Sequence, residues 1–282
     1  MLLKAYAKIN LGLRVLRKRE DGFHDIETIF HRINLFDELT VEPSNSAISI
    51  SCDNQALPIN ENNLCWKAVD LLRNELGTIQ GAAIGIKKNI PIGSGLGGGS
   101  SDAASVLVSL SSLWKTPIDP STLANVALNI GSDVPFFLHN RSAYAEGRGE
   151  RLSFVRLSLP YFVLVVTPTI HLSTAWAYGE LSKRRQPTVR QAKFYDGATC
   201  TVANISSLME NDFEDVVFNA YPEIARLKQE LLSHGAAFAL LSGSGSSVFG
   251  LFNNETDARQ AENFFSLDYF VSVTPPNFMP LL

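Results

Sequence analysis

Apolar and polar residues alternate at the start of the chain. Every odd position from Leu3 to Val15 is apolar or small, and Lys8 and Asn10 share the opposite face. This period of two predicts a half-buried strand, because successive side chains of a strand point to opposite faces. The sequence EDGF that follows predicts a turn, and residues 23–43 predict a further strand.

The pattern changes to helical spacing after a short strand with the sequence ISISC. Residues 60–77 open with an Asn-rich start signal, repeat apolar residues at helical intervals and end at a glycine. Residues 82–90 alternate again as a strand, and helices are predicted from Ser100 and over 119–131. This order indicates an α+β fold class, since a doubly wound sheet alternates strands and helices regularly.

The second half contains three predicted helices and four predicted strands. In chain order they are strand 161–168, helix 173–181, helix 221–235, strands 236–241 and 248–252, helix 255–265 and strand 269–275. This order is typical of a ferredoxin-like split βαβ unit. Residues 182–201 have weak periodicity and predict an irregular connection. We place the domain boundary near Pro160, which gives domains 1–159 and 160–282.

Composition narrows the class of protein. The 282 residues are 45% hydrophobic and 18% charged, which is enough apolar material for a buried core. The net charge of −4 and the short basic segments argue against a nucleic-acid partner. Three cysteines without disulfide or metal-ligand spacing favour a reducing compartment. No signal peptide or membrane-length apolar run is visible, so we expect a cytoplasmic protein with no membrane partner.

A glycine-rich segment, PIGSGLGGGSSDAA at 91–104, carries the strongest chemical signal. Five glycines occur in the seven positions 93–99, between a predicted strand and a predicted helix. Bare backbone N–H groups without Cβ atoms, next to the positive end of a helix dipole, form an anion site. The segment therefore predicts a phosphate-binding loop, whereas a loose turn would not need five glycines against a helix start.

The common phosphate motifs do not fit this context. GSGLGG matches the dinucleotide pattern, but no acidic residue ends a second strand about 20 residues further on, where that fold requires one. Asp119 stands in a helix cap instead. No G-K-[ST] follows for a Walker loop, and no V-A-I-K or H-R-D for a protein kinase.

The loop resembles the phosphate loop of the GHMP kinases, the superfamily of galactokinase, homoserine kinase and mevalonate kinase. Four further segments agree with this resemblance in order along the chain: AYAKINLGLRVLRKREDGFHDIETIF near the start, IGSDVPFFL at 130–138, AEGRGE at 145–150 and LSGSGSSVFGLF at 241–252. The resemblance implies a two-domain fold, with an N-terminal ATP-binding domain like ribosomal protein S5 domain 2 and a C-terminal ferredoxin-like domain. It also implies a kinase that uses ATP and Mg²⁺.

The resemblance assigns the catalytic roles to Lys8 and Asp133. Phosphoryl transfer requires a cation and a carboxylate near the reacting groups more than it requires covalent chemistry. From the residues alone, Lys8 could equally be a solvated strand lysine, and Asp133 could cap the short helix that begins near Pro135. In the family, the aspartate accepts or orients the substrate hydroxyl proton while the lysine stabilises charge.

The resemblance also places the nucleotide. The implied ATP-binding residues are Asn63, Leu64, Lys88, Pro91, Gly93, Gly95, Leu96, Gly97, Gly98, Gly99, Ser100 and Ser101. Asn63 could instead be only a helix cap, which is the commoner use of Asn before a helix. Asp102 could bind Mg²⁺ or complement the helix dipole, of which the second is favoured. Mg²⁺ would accompany ATP near Ser100, and no metal ligand is assigned.

Within the superfamily, these segments together resemble most closely the branch whose substrate is a cytidyl diphosphate of methylerythritol, a small molecule of the non-mevalonate isoprenoid pathway. In this resemblance the segment DGFH at 21–24 is positioned to read cytosine. The resemblance places cytosine against His24, between the rings of Phe23 and Tyr178, with Asn10 and Thr174 nearby. Tyr178 could also be a core residue. Phe23 replaces the Tyr typical of the family and loses a hydroxyl, and Ser94 replaces a loop glycine.

Two alternatives accompany this prediction. Another GHMP kinase, of the homoserine or mevalonate type, would share the loop without needing DGFH. A silent relative that only binds nucleotide would be expected to lose its lysine or its aspartate, and both residues are present. We infer no obligate protein partner.

Overall fold

The computed structural model describes residues 1–184 and 210–280 of the chain. Contacts group them into two compact units. The first unit contains residues 1–7, 36–92 and 97–140, and the second contains residues 8–35, 93–96 and 141–282. The predicted boundary between residues 159 and 160 puts residues 8–35 in the N-terminal domain, whereas the contacts group them with the second unit. The boundary stays a prediction. The first two strands, β1 (Leu2–Lys18) and β2 (His24–Ser44), contribute residues to both units.

The first unit combines strands with three α-helices. Its elements are β3 (Ile48–Cys52), α1 (Leu64–Glu75), β4 (Gly81–Lys87), α2 (Gly98–Leu113), α3 (Pro120–Ile130) and a 3₁₀ helix (Val134–Leu138). The strand order is β3-β4-β2, with β3 parallel and β2 antiparallel to β4. Helix α1 packs against α2, α3 and β4, which buries its apolar stripe. All predicted elements of this region are confirmed.

The caps of these helices follow from the sequence. The side chain of Asp119 accepts a 2.9 Å hydrogen bond from the N–H of Thr122 and so caps α3, where Pro120 needs no N–H partner. Helix α2 begins at Gly98, two residues before the predicted start at Ser100, because Gly97 adopts the left-handed conformation and serves as its N-cap.

The second unit contains a four-stranded antiparallel sheet. Its elements are β5 (Ala143–Glu146), β6 (Arg151–Phe154), β7 (Phe162–Thr167), α4 (Thr174–Arg184), α5 (Glu214–Ala220), α6 (Pro222–Ser233), β8 (Phe238–Leu241), β9 (Val248–Phe252), α7 (Glu255–Phe265) and β10 (Phe270–Thr274). The order β10-β7-β9-β8 confirms the ferredoxin-like prediction. Phe213, Phe252 and Phe265 are buried in its core.

Three elements escaped the sequence prediction. Strands β5 and β6 pair antiparallel around a turn with positive φ at Gly147 and Gly149, and each is only four residues long, too short to show a period. Helix α5 spans seven residues. Of the connection predicted at 182–201, residues 185–201 lie outside the described part of the chain.

The prediction that β1 is half-buried is wrong. Residues 5–13 are buried on both faces of the strand, and Lys8 and Asn10 are only 4% and 1% exposed. Polar side chains are buried at little cost only when they are hydrogen-bonded, and both have partners inside the protein. Among residues 1–184 and 210–280, no helix is long and apolar enough to cross a membrane.

Candidate active site

Lys8 is the centre of a buried polar network in the second unit. Its Nζ donates a 2.6 Å hydrogen bond to Oδ1 of Asn10 and a 3.1 Å hydrogen bond to the carbonyl of Gly95. Asn10 in turn donates through Nδ2 to the hydroxyl of Thr28 at 2.9 Å. The ammonium lies 5.1 Å from the centre of the Phe30 ring. A lysine held in this way is not a solvated strand residue, so its charge is fixed at one place.

The glycine loop reaches Lys8 through Gly95. The Gly95 carbonyl accepts hydrogen bonds from Lys8 and from the hydroxyl of Ser242. Gly95 has a φ of +79°, and a Cβ atom there would lie 2.1 Å from the carbonyl oxygen of Ser242. Glycine is therefore required at this position by both conformation and space. The N–H of Lys8 also donates to the carbonyl of Leu96 at 2.9 Å.

Ser94 does not strain the loop. Positive φ occurs at Gly93, Gly95 and Gly97, whereas Ser94 keeps a negative φ. The carbonyl of Ser94 accepts a 3.1 Å hydrogen bond from the N–H of Ser247. The replacement of a glycine by serine at this place is thus compatible with the loop conformation.

The first turn of α2 carries the other part of the loop, in the first unit. No side chain caps this helix at Gly97, and Gly98, Gly99 and Ser100 are half-buried. The terminal N–H groups of a helix without a side-chain cap can bind a phosphate. The Ser101 hydroxyl, in contrast, is buried and donates to the carbonyl of Tyr6 at 2.7 Å.

Lys88 lies in a buried ion cluster of the first unit. Its Nζ pairs with Asp37, and with Oδ2 of Asp102 at 3.0 Å. The three side chains are at most 3% exposed. Burial would lower the pKa of Lys88, but the negative charges of Asp102 and Asp37 outweigh it and raise that pKa. Asp102 is therefore a buried ion-pair partner of Lys88, and its roles considered from the sequence, complementing the helix dipole or binding Mg²⁺, stay predictions.

Asn63 acts as a helix cap. Its Oδ1 accepts a 2.8 Å hydrogen bond from the N–H of Cys65, and its Nδ2 donates to the carbonyl of Pro58 at 2.7 Å. Leu64 follows it, and its Cδ1 lies 3.6 Å from where a Cβ atom of Gly99 would stand. Leu64 and Lys88 thus both flank the start of α2, and their contact with adenine stays a prediction.

Asp133 precedes the 3₁₀ helix in the first unit. Its side chain makes no capping hydrogen bond to that helix, although Pro135 occupies the first turn as expected. The four residues that follow, Val134 to Phe137, are buried and apolar. The capping role considered from the sequence is therefore absent, and the catalytic role remains open to test. Asp133 belongs to the first unit, whereas Lys8 belongs to the second.

His24 and Tyr178 form a stacked pair in the second unit. Their ring centres are 4.8 Å apart with an angle of 19° between the planes. Burial and the nearby charge of Lys18 lower the pKa of His24, so its imidazole is neutral at neutral pH. Tyr178 also packs edge-on against the buried ring of Phe213, and its side chain is half-buried.

Ser182 determines which nitrogen of His24 carries the proton. The Ser182 hydroxyl donates its single hydrogen to the carbonyl of Tyr178 at 2.8 Å. Its oxygen lies 2.9 Å from Nε2 of His24 and must therefore accept from that nitrogen. This assigns the proton to Nε2 and leaves Nδ1 as a hydrogen-bond acceptor.

Two further predicted residues lie nearby in the second unit. The ring of Phe23 is half exposed and lies 4.6 Å from the guanidinium carbon of Arg148. The hydroxyl of Thr174 is 3.0 Å from that of Ser244. Ser244 belongs to the segment 242–247, which also contributes Ser242 to the glycine loop.

Comparisons with known proteins agree with this geometry. Residues 63–141 match the GHMP kinases N terminal domain and residues 201–270 match the GHMP kinases C terminal domain. A 4-diphosphocytidyl-2-C-methyl-D-erythritol kinase of Chlorobium chlorochromatii is 44% identical, over 99% of this chain and 98% of that protein. A protein of the same name from Prosthecochloris aestuarii is 44% identical, over 98% and 97%. This chain belongs to the 4-diphosphocytidyl-2-C-methyl-D-erythritol kinase family.

The solved structures place this kinase family within a wider fold. A crystal structure of a 4-(cytidine 5'-diphospho)-2C-methyl-D-erythritol kinase matches with a TM-score of 0.79 and 34% identity, covering 97% of this chain and 98% of that one. A homoserine kinase from Cytophaga hutchinsonii matches with a TM-score of 0.70 at 16% identity, covering 99% and 95%. The second match shows a shared fold and nothing more. The two-domain GHMP kinase fold is thereby confirmed.

Sequence reasoning missed three residues around the glycine-rich loop at 91–104. Asp37 pairs with Lys88, Ser242 donates to Gly95, and the exposed imidazole of His171 lies against the Cα of Gly93. Only the segment LSGSGSS gave a signal, because its glycines and serines resemble a second tight loop. Asp37 stands inside a strand, where nothing in the local sequence distinguishes it from a surface acid.

Proposed function

We propose that this protein transfers the terminal phosphoryl group of ATP to the 2-hydroxyl of 4-diphosphocytidyl-2-C-methyl-D-erythritol, giving the 2-phosphate and ADP. The observation that carries this proposal is the 44% identity to kinases of that name over nearly the whole chain. The reaction belongs to the non-mevalonate pathway of isoprenoid precursor synthesis. A cytoplasmic location stays a prediction from the sequence.

The residues around the loop fit a nucleotide phosphate. The N-terminus of α2 has no side-chain cap, and its first two residues, Gly98 and Gly99, carry no Cβ atom. Mg²⁺ would be held mainly by phosphate oxygens, with the half-buried Ser100 as the protein's contribution. When bound, Mg²⁺ would neutralise phosphate charge.

Lys8 would stabilise the negative charge that develops on the transferred phosphoryl group. Its ammonium is already held by Asn10 and Gly95, so no reorganisation would be required when that charge appears. Asp133 would accept the proton of the substrate hydroxyl, or orient that hydroxyl for attack. These roles rest on the family resemblance at both positions, together with the buried setting of Lys8.

The second unit would bind the cytidyl group. His24 offers a neutral imidazole whose Nδ1 is an acceptor, which complements the N4 amino group of cytosine. Phe23 and Tyr178 supply the ring faces, and Thr174 and Asn10 lie in the same unit. Both polar atoms of Asn10 already have partners, so we assign Asn10 mainly to holding Lys8.

A substrate panel tests this proposal. The purified protein is incubated with ATP and Mg²⁺ and with the cytidyl methylerythritol, homoserine or mevalonate, and ADP release is followed beside an Asp133→Asn variant. We expect turnover of the cytidyl compound alone, lost in the variant. Turnover of homoserine or mevalonate would reject the cytidyl assignment. Release of no ADP with any of the three would identify a silent nucleotide binder.

A further inference from the structure

The ion cluster around Lys88 is unusual in its charge. Two carboxylates, Asp37 and Asp102, share one buried ammonium. Oδ1 of Asp102 is buried, and no residue in the described part of the chain donates a hydrogen bond to it. Taking such charges out of water is costly, and apolar residues of similar volume would often be at least as stable. Stability alone is therefore a poor explanation for this cluster.

Asp37 fixes the backbone that leads toward the glycine loop. Its Oδ1 accepts hydrogen bonds from the N–H groups of Asn89 and Ile90, at 2.7 and 2.8 Å. Its other oxygen pairs with the ammonium of Lys88. One fully buried carboxylate on β2 thus determines the position of three successive residues after β4.

Those residues pack against the first residue of α2. A Cβ atom on Gly98 would lie 3.0 Å from Nζ of Lys88 and 3.0 Å from Cγ2 of Ile90. Lys88 also reaches Oδ2 of Asp102, one turn further along the same helix. The cluster therefore connects strand β2, the segment after β4 and the first two turns of α2.

Two further side chains lie next to the cluster, those of Cys65 and Asp53. Cys65 on α1 is buried, and burial raises the pKa of its thiol, to which the charge of Asp102 contributes. Asp53 accepts from the N–H of Lys88 at 2.9 Å, on the exposed side of the segment. The ion-pair partners of Lys88 in the described part of the chain are thus Asp37 and Asp102.

We propose that the Asp37–Lys88–Asp102 cluster positions the N-terminus of α2 for the nucleotide phosphates, with Asp37 as the positioning residue. The inference rests on the proposed function in one respect, that ATP binds at this helix end. A misplacement of about 1 Å can cost about 100-fold in rate, and the binding of phosphate by backbone N–H groups depends on the same kind of alignment. Asp37 touches no reacting atom and acts through the backbone that it holds.

Asp37→Asn tests the proposal. The amide oxygen can still accept from the backbone, but the amide NH₂ faces the Lys88 ammonium, which must turn toward Asp102 alone. We expect the Kd of Mg·ATP, measured by calorimetry on the full chain, to rise roughly tenfold. The KM for ATP should rise in parallel, while kcat and the KM for the cytidyl substrate change less than threefold, by rough estimate.

Glu38→Gln is the matched control. Glu38 is the next residue of β2 and forms an exposed ion pair with Lys87, so its loss removes a carboxylate without touching the cluster. We expect Mg·ATP to bind this variant as it binds the unsubstituted protein. If Asp37→Asn melts at a lower temperature yet its folded form binds Mg·ATP with unchanged affinity, the cluster is structural only and the proposal is overturned.

Asp102→Asn keeps the proposal testable if Asp37→Asn does not fold. This substitution conserves the shape of the side chain and leaves the Lys88–Asp37 pair intact, but it weakens the Lys88–Asp102 contact that holds α2. The affinity for Mg·ATP should therefore fall about threefold to tenfold. Unchanged affinity would overturn the proposal. If the unsubstituted protein itself does not bind Mg·ATP, the proposed function has failed, which is a different result.

Discussion

The ammonium of Lys8 donates a 2.6 Å hydrogen bond to the side-chain oxygen of Asn10, two residues further along the same strand. Both residues therefore point to one face of β1, as alternation requires. The pair is buried, and a third residue, Thr28, receives the remaining bond of Asn10. Lys8 is thus oriented before any substrate arrives, which is the arrangement expected of a residue that stabilises charge in a transition state.

Lys8→Met should separate catalysis from binding. We expect kcat to fall at least about 100-fold, because the positioned charge is lost while the chain length is kept. The Kd of Mg·ATP should change only a few-fold, by rough estimate, because the loop N–H groups remain. Single-turnover kinetics and calorimetry measure the two quantities. Lys4→Met is the control: Lys4 is exposed on the same strand beside Phe36, and its loss should leave kcat unchanged.

Gly95→Ala should damage the loop itself. The new Cβ atom would meet the carbonyl of Ser242 at 2.1 Å with φ at +79°, so the backbone must move. We expect lower stability and loss of Mg·ATP binding, measured by denaturant titration and calorimetry.

Gly179→Ala is the matched substitution for this comparison. Gly179 lies within α4 with open space around its Cα, so alanine should stabilise the helix by about 1 kcal/mol. ATP binding should be retained. Equal effects of the two substitutions would show that glycine is not specifically required at position 95.

Ser182→Ala should reduce the preference for a cytosine over a uracil nucleobase in the substrate. Without the hydroxyl, the proton of His24 is no longer fixed at Nε2, and Nδ1 can become a donor. A cytidyl substrate presents an amino donor at this edge, whereas a uridyl analogue presents a carbonyl acceptor. We expect the ratio of kcat/KM values for the two to fall roughly tenfold. Ser182→Thr, which retains a hydroxyl, should restore the ratio; an unchanged ratio in Ser182→Ala would remove Ser182 from base selection.

The sequence predicted those parts of the molecule whose signal is local. The α+β class and the ferredoxin-like sheet follow from periods, caps and glycines within a short window. Lys8 and His24 were reached through the family resemblance, since a lone Lys on a strand carries little information. Their burial and their hydrogen-bond partners depend on residues far away along the chain. Gly95, whose carbonyl accepts from Lys8, is 87 positions away.

The ion cluster shows why buried polar contacts could not be predicted from the sequence. Asp37 lies inside a strand, and Asp102 near the start of a helix, where an acid ordinarily complements the dipole. Only the tertiary structure brings both to Lys88, 51 and 14 positions away along the chain. The same applies to β1, whose alternation suggested one solvated face although packing covers both. Burial of a polar face is decided by what lies over it, which a single sequence does not encode locally.

His31 should make the protein sensitive to acid. It is buried on β2, and its Nδ1 lies 2.8 Å from the hydroxyl of Ser142. Burial lowers the pKa of His31 from 6.5 to about 4. Between these values the unfolded chain takes up a proton that the folded chain does not, so the stability present above pH 6.5 is lost as the pH falls toward 4.

This linkage can be measured by urea unfolding at two pH values. Between about pH 7.5 and about pH 5, the His31 contribution should reduce the free energy of unfolding by about 2 kcal/mol, by order of magnitude. In His31→Asn, which retains a polar group near the Nδ1 position, this part of the pH dependence should disappear. An equal loss of stability in acid for both proteins would mean that His31 is protonated in the folded state, against the burial seen on β2.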